Sequence, residues 1–182
     1  MKSFLSFIWE TVKIVIIALL IVVPIRYFVF QPFFVKGQSM EPSFDDGNYL
    51  IVDELSYRLR APERGEVIVF KYPNDPSQKY IKRIIGLPGE IVEIKDRQIM
   101  ISNGKGEAKI LDESNYLPSA AQTFGEEQII LANDQYFVLG DNRLASSDSR
   151  SWGSLPREDI IGRVLIRVWP FASLAKFEAP AY

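Results

Sequence analysis

The 182-residue sequence contains no histidine and no cysteine. The first absence removes any Ser-His-Asp triad within the chain. The second removes cysteine proteases, Cys/His zinc sites and disulfides. Hydrolytic chemistry, if present, must run on Ser, Thr, Lys, Asp, Glu or Tyr. A fold without disulfides is compatible with several compartments, an oxidising exterior included. An excess of one charge is also missing: 21 Lys and Arg stand against 23 Asp and Glu, a net charge of −2. Nothing in that balance points to a nucleic-acid partner. Repeats and low-complexity tracts are absent too, and the length suits one domain, at most with a small insertion. No cofactor and no metal ion is expected.

Apolar residues make up 47% of the chain, and they crowd the N-terminus. An uninterrupted apolar run covers residues 14–25, bounded by Lys13 and Arg26. By itself it is too short for a bilayer, which needs about 20 residues. With its flanks it extends over 8–30, a helix of roughly 34 Å at about 1.5 Å per residue. Lys13 and Arg26 can snorkel to the interfaces, and Glu10 lies near one end. Trp9, Tyr27 and Phe28 suit interfacial belts, and Pro24 marks a place for a late kink. A cleaved leader would show small residues after the run, whereas Arg26-Tyr27-Phe28-Val29-Phe30 is bulky. The expectation is a short segment over 1–7, an uncleaved transmembrane signal-anchor helix over 8–30, and a domain over 31–182. Lys2 and Lys13 precede the run while Arg26 and Lys36 follow it, so charge does not set the orientation.

Beyond residue 34 the pattern changes to short β-rich runs. Residues 49–52, 66–72, 80–85, 91–94, 98–102, 128–131, 135–139 and 161–168 read as strands. They are separated by Asp46-Gly47, Arg64-Gly65, Pro73-Asn74-Asp75-Pro76, Pro88-Gly89, Asn103-Gly104 and Asn133-Asp134. A short helix is expected within 53–59. The expected architecture is mostly β: an antiparallel β-sheet domain on a single N-terminal transmembrane helix. A small inserted β-hairpin and loop region is expected at about 96–127.

Three segments carry more chemistry than a plain β-domain requires. In Gly37-Gln38-Ser39-Met40-Glu41-Pro42-Ser43 a serine sits in a constrained loop. Gly37 permits close backbone approach and Pro42 stiffens the chain just beyond. Such a loop can offer a hydroxyl and a backbone N–H to one carbonyl. Read alone, it is an ordinary turn. In Tyr80-Ile81-Lys82-Arg83-Ile84-Ile85-Gly86-Leu87-Pro88-Gly89-Glu90, strand alternation puts Tyr80, Lys82 and Ile84 on one face. Ile81, Arg83 and Ile85 take the other. With a pKa near 10.4 only about 0.04% of a lysine is neutral at pH 7. Burial among apolar neighbours raises that fraction and makes a base able to take a serine proton. An edge-strand lysine in solvent is the competing reading. The third segment runs from Leu139 to Gly153 and contains Gly140-Asp141-Asn142-Arg143 and Ser146-Ser147-Asp148-Ser149-Arg150. It is dense in groups that can orient an amine or pair as ions, and equally reads as a polar turn.

Together these segments resemble the bacterial type I signal peptidase family. The resemblance spans the anchor, Ser39-Met40-Glu41-Pro42, Arg64-Gly65-Glu66-Val67, the Tyr80–Glu90 segment and the Gly140–Gly153 segment. It implies a serine protease with a Ser-Lys dyad: Ser39 as acylated nucleophile, Lys82 as general base, and Ser146 orienting the lysine amine. Asp141 resembles the aspartate that pairs with Arg83, and Asp148 with Arg150 resembles a second structural ion pair. Some members carry a serine two residues before the nucleophile to bind the oxyanion; Gly37 stands there, which leaves backbone N–H groups, first that of Ser39. The implied substrate is a preprotein signal peptide with small residues, typically Ala, at −1 and −3. Phe33, Val35, Met40, Tyr80 and Ile81 are the implied pocket liners. The implied setting is a cell membrane, single-pass, in contact with lipid, with the catalytic domain extracytoplasmic. A thylakoid membrane is the alternative in a photosynthetic source.

Rival readings fit less well. Asp45-Asp46-Gly47 and Gly140-Asp141-Asn142 lack the paired Asp-Thr/Ser-Gly pattern of aspartic proteases. A self-cleaving Ser-Lys repressor suits the dyad but not the anchor. An inert membrane-anchored β-domain that binds peptides or partners leaves an apolar-flanked Lys82 without a purpose.

Overall fold

The structure is a computed structural model that describes residues 2–28, 30–104, 106, 108–118 and 121–180. The chain opens with α1 (Lys2–Phe28), and helix continues through Pro24. Its described apolar side chains, among them Phe7, Trp9, Ile14 and Leu20, are exposed. The side chains of Ile21 and Val23–Phe30 are outside the described residues, and the expected span over 8–30 falls partly on them. Among the described residues no helix is long and apolar enough to cross a membrane.

The remainder is a mostly antiparallel β-sheet domain. β1 (Phe30–Phe34) and β2 (Tyr49–Asp53) pair antiparallel across a loop. The short α2 occupies Ser56–Leu59, the C-terminal half of the expected helix, because Asp53 still belongs to β2. β3 (Val67–Tyr72) and β4 (Asp75–Gly86) form the long central hairpin. Tyr72 faces Asp75 across it, so the turn is Pro73-Asn74 and β4 starts five residues before the run expected from residue 80. Next come β5 (Ile91–Lys95), β6 (Gln98–Ser102), β7 (Lys109–Ile110) and β8 (Glu127–Ile130). These make a separate antiparallel sheet in the order β7-β6-β5-β8. It takes in strands on both sides of the stretch from about 96 to 127. The chain then returns through β9 (Gln135–Leu139), α3 (Ser149–Trp152), β10 (Leu155–Pro156), β11 (Ile160–Trp169) and β12 (Ala175–Lys176). In the larger sheet the order is β1-β2-β11-β3-β4-β9-β10, with β12 on β11.

Alternation along β3 and β4 divides the apolar residues between two faces. Val67, Val69 and Ile81 pack with Val35, Met40, Phe44, Leu50, Val52 and Val164. Ile68, Phe70 and Ile84 pack with Tyr136, Val138, Leu155 and Ile160 on the other. A third cluster, Ile85, Val92, Ile94, Ile99, Leu131, Phe137 and Leu139, joins the two sheets. Because both faces of β4 are covered, all six residues of 81–86 are buried, as a near-continuous apolar run requires. Lys82 and Arg83 lie inside that run.

Candidate active site

Ser39 lies in the loop between β1 and β2. Val35 N donates to Asn48 O at 2.9 Å and Gly47 N to Val35 O at 3.0 Å, closing the loop at its base. Within it Phe44 N donates to Met40 O at 2.9 Å, and the buried Met40 and Phe44 pin the loop to the core. Gly37 has φ +86°, a left-handed conformation that glycine adopts without a Cβ penalty. No atom lies within 4 Å of where its Cβ would be. The glycine is needed for backbone conformation, then, and not for the close approach expected from the sequence. Its N–H donates to Asp46 Oδ1 at 2.6 Å.

Lys82, only 3% exposed, faces Ile68 of β3 in the sheet register. Its Nζ donates to Ser39 Oγ at 2.8 Å and to the carbonyl of Ile81 at 2.8 Å. Burial pushes the amine down from 10.5 to about 8, against the upward pull of Asp148 and Asp141. At a pKa of about 8, roughly a tenth of the lysine is neutral at pH 7, about 200-fold more than for an unperturbed group. Two side chains 43 positions apart thus form a hydroxyl–amine pair at proton-transfer distance.

The loop after β9 lies against this pair. Asn142 N donates to Ser39 O and its Nδ2 to Gln38 O, both at 3.1 Å. Gly140 leaves no room for a side chain: a Cβ there would lie 2.2 Å from Ser146 Oγ and 2.4 Å from Ser39 O. Arg83 meets Asp141 bidentately, with Nε to Oδ1 at 2.8 Å and Nη2 to Oδ2 at 2.6 Å. Arg150 Nη2 is 2.8 Å from Asp148 Oδ2, and that oxygen also accepts from Gly140 N at 3.1 Å. Ser146 Oγ is buried against Gly140 and makes no hydrogen bond among the described residues. The amine's described partners are Ser39 Oγ and Ile81 O, not Ser146.

A cleft of about 600 Å³ opens over Ser39 and Lys82. Of the five expected liners, Phe33, Tyr80 and Ile81 reach it, joined by Phe34 and Ser147. Val35 and Met40, at 1% and 0% exposure, lie in the core cluster that also contains Ile81. They form a layer beneath the cleft. A second cavity of about 670 Å³ lies away from Ser39 and Lys82, between Arg64, Glu90 and the smaller sheet. Asn142 and Arg143 had no assigned task in the sequence reading. They sit in the quoted segment, but Gln38, the partner of Asn142, is 104 positions away and Glu113, the partner of Arg143, is 30 positions away, and no local pattern signals contacts of that kind.

The chain belongs to the signal peptidase family, peptidase S26, whose family model matches residues 8–169. It is 40% identical over 167 residues to a probable signal peptidase I-2 of Synechocystis sp., covering 88% of this chain and 73% of the relative. A signal peptidase I of Leptolyngbya laminosa is 36% identical over 180 residues, 94% of this chain and 84% of its own. Signal peptidase IB of Staphylococcus aureus is 30% identical over 174 residues, 90% of each chain. Among solved structures, a signal peptidase I of Enterococcus faecalis matches at a TM-score of 0.46 and 30% identity, covering 57% of this chain and 97% of that one.

Proposed function

We propose that this chain removes N-terminal signal peptides from exported preproteins, cutting after small residues, with Ser39 as nucleophile and Lys82 as general base. The observation that carries the reading is the 2.8 Å contact between Lys82 Nζ and Ser39 Oγ inside an apolar setting. The neutral amine takes the hydroxyl proton as Ser39 Oγ bonds to the scissile carbonyl carbon. The carbonyl oxygen becomes an oxyanion, for which the backbone N–H of Ser39 serves as donor. The resulting ammonium gives its proton to the leaving amine nitrogen as the C–N bond breaks, leaving an acyl-Ser39 ester. Lys82 then takes a proton from water as its oxygen attacks the ester, and returns it to Ser39 Oγ as the ester C–O bond breaks, releasing the new carboxyl group, which loses its proton to solvent, and free Ser39. Arg83, Asp141, Asp148 and Arg150 shape the site, and Ser146 is the hydroxyl beside it. A cleft walled by Phe33, Tyr80 and Ile81 favours small side chains at −1 and −3.

The membrane setting belongs to the same proposal. An anchor over 8–30 delivers the chain into β1, whose Phe34 is half exposed and neighbours the cleft. Phe34 faces Tyr49, which faces Trp169 across β2 and β11. Trp169, Phe171 and Leu174 are exposed beside them. An apolar margin of this kind suits a lipid surface, which supports the reading of a domain held at the membrane where signal peptides emerge on the extracytoplasmic side. The deciding experiment is cleavage of a preprotein with Ala at −1 and −3 by the purified full chain in detergent, with the new N-terminus sequenced. Release at that bond is expected. An intact preprotein, or a cut unrelated to the small residues, rules the reading out.

The lysine also sets a pH dependence. Only the neutral amine accepts the serine proton, so kcat/KM should rise as pH passes upward through about 8. A profile flat between pH 7 and 9 would contradict a base with this environment. Stability moves the same way: between about 8 and 10.5 the unfolded chain holds the lysine proton that the folded chain has shed, so stability rises with pH in that window.

A further inference from the structure

Residues 112–123 lie in the connection between β7 and β8, away from the catalytic pair in sequence, yet they touch both halves of its support. Arg143, almost fully buried, donates from Nη1 to Glu113 Oε2 at 2.7 Å and from Nη2 to Glu113 Oε1. It also donates to Thr123 Oγ1, and from Nε to the carbonyl of Gly140 at 3.2 Å. The hydroxyl of Tyr116 donates to Glu113 Oε1. The ring of Tyr116 lies over the Arg83 guanidinium, 3.9 Å from its carbon. Arg83 in turn grips Asp141, and the next residue, Asn142, holds the carbonyls of Gln38 and Ser39. The contacts form a closed ring, Glu113–Arg143–Gly140/Asp141–Arg83–Tyr116–Glu113. One side of the ring is the strand residue next to Lys82. The other is the loop that grips Ser39.

We propose that Glu113 and Tyr116 are positioning residues for the Ser39–Lys82 reaction, an inference that rests on the function proposed above. The physical need is clear. A buried guanidinium without its carboxylate is costly, and Asp141 is the other carboxylate that acts on Arg143. Without Glu113, Arg143 competes with Arg83 for Asp141, and the loop that carries Asn142 shifts against Ser39. A displacement of about 1 Å in a reacting pair can cost on the order of a hundredfold in rate. The cleft residues Phe33, Tyr80 and Ile81 lie outside the loop that carries Asn142, so the loss should fall mainly on kcat.

The test is steady-state preprotein cleavage by the purified full chain in detergent, at a temperature well below the melting point of each variant. Glu113→Ala should lower kcat by at least about tenfold with KM within about twofold. Glu113→Gln, which keeps acceptors for the guanidinium, should recover part of the loss. Tyr116→Leu removes the ring over Arg83 and should lower kcat by about tenfold, while Tyr116→Phe keeps the ring and should lose less. Wild-type kcat in Glu113→Ala and Tyr116→Leu overturns the proposal. So does a loss confined to KM, or one that merely follows the folded fraction. If Glu113→Ala does not fold, the two Tyr116 variants decide by the same criteria. Ser39→Ala is assayed alongside. Cleavage retained by Ser39→Ala defeats the proposed function itself, whereas its loss together with full activity in the Glu113 and Tyr116 variants defeats only the positioning role.

Discussion

Replacing Lys82 by Met is expected to lower kcat/KM for preprotein cleavage by at least about 10⁴-fold, and Ser39→Ala to do the same. Met follows the shape of the lysine stem but has no lone pair that can take the serine proton. The histidine-free chain holds no imidazole to stand in. Neither variant should unfold the domain. Lys82 lies 3% exposed among apolar neighbours, so loss of its amine relieves a desolvation penalty that offsets the hydrogen bonds lost to Ser39 Oγ and Ile81 O. Melting temperature and cleavage of the same preparations check both halves of this expectation. Substantial activity in purified Lys82→Met would sink the dyad, and a collapsed melting transition would mean that the lysine carries structural weight the geometry does not assign to it.

Loss of Asp141 should act differently. Its side chain is fully buried and that of Arg83 only 6% exposed. Asp141→Ala leaves a buried guanidinium with the carbonyl of Gly65, the hydroxyl of Ser43 and the Tyr116 ring, but without its carboxylate. Removing one partner of a buried pair costs about 3–5 kcal/mol. In a chain of this size that corresponds to a fall of roughly 6–20 °C in melting temperature. Differential scanning calorimetry of wild type and Asp141→Ala measures it, and activity should fall along with the ordered loop. A variant with normal melting temperature and no cleavage would give Asp141 a chemical role in place of this supporting one.

Much of the fold was legible because strands announce themselves locally. Eight apolar runs between Gly, Pro, Asn and Asp turns correspond to β2, β3, β4, β5, β6, β8, β9 and β11. The shortest strands, β7, β10 and β12, have two residues each. Runs that short carry no period, and only a neighbouring strand defines them. β1 was not legible as a strand, since its sequence Phe30-Gln31-Pro32-Phe33-Phe34 continues the hydrophobic N-terminus. The helix before it was legible as a long apolar run, which falls within α1 (Lys2–Phe28). Its surroundings are set by what meets its exposed side chains, which a chain alone does not supply.

The sequence by itself limited the available chemistry: with histidine and cysteine absent, Ser, Thr, Lys, Asp, Glu and Tyr were left, and the resemblance pointed among them to Ser39 and Lys82. It also determined that Lys82 sits in an apolar strand, since alternation and composition are local properties. Tertiary structure alone decided that Lys82 Nζ and Ser39 Oγ stand 2.8 Å apart. It decided too that Asn142 grips the serine loop, that Val35 and Met40 lie beneath the cleft, and that Glu113 and Tyr116 reach the site from the smaller sheet's connection. Such contacts join residues far apart in the chain. They are set by sheet order and by the burial of charges that need partners, and neither leaves a local signature in the sequence.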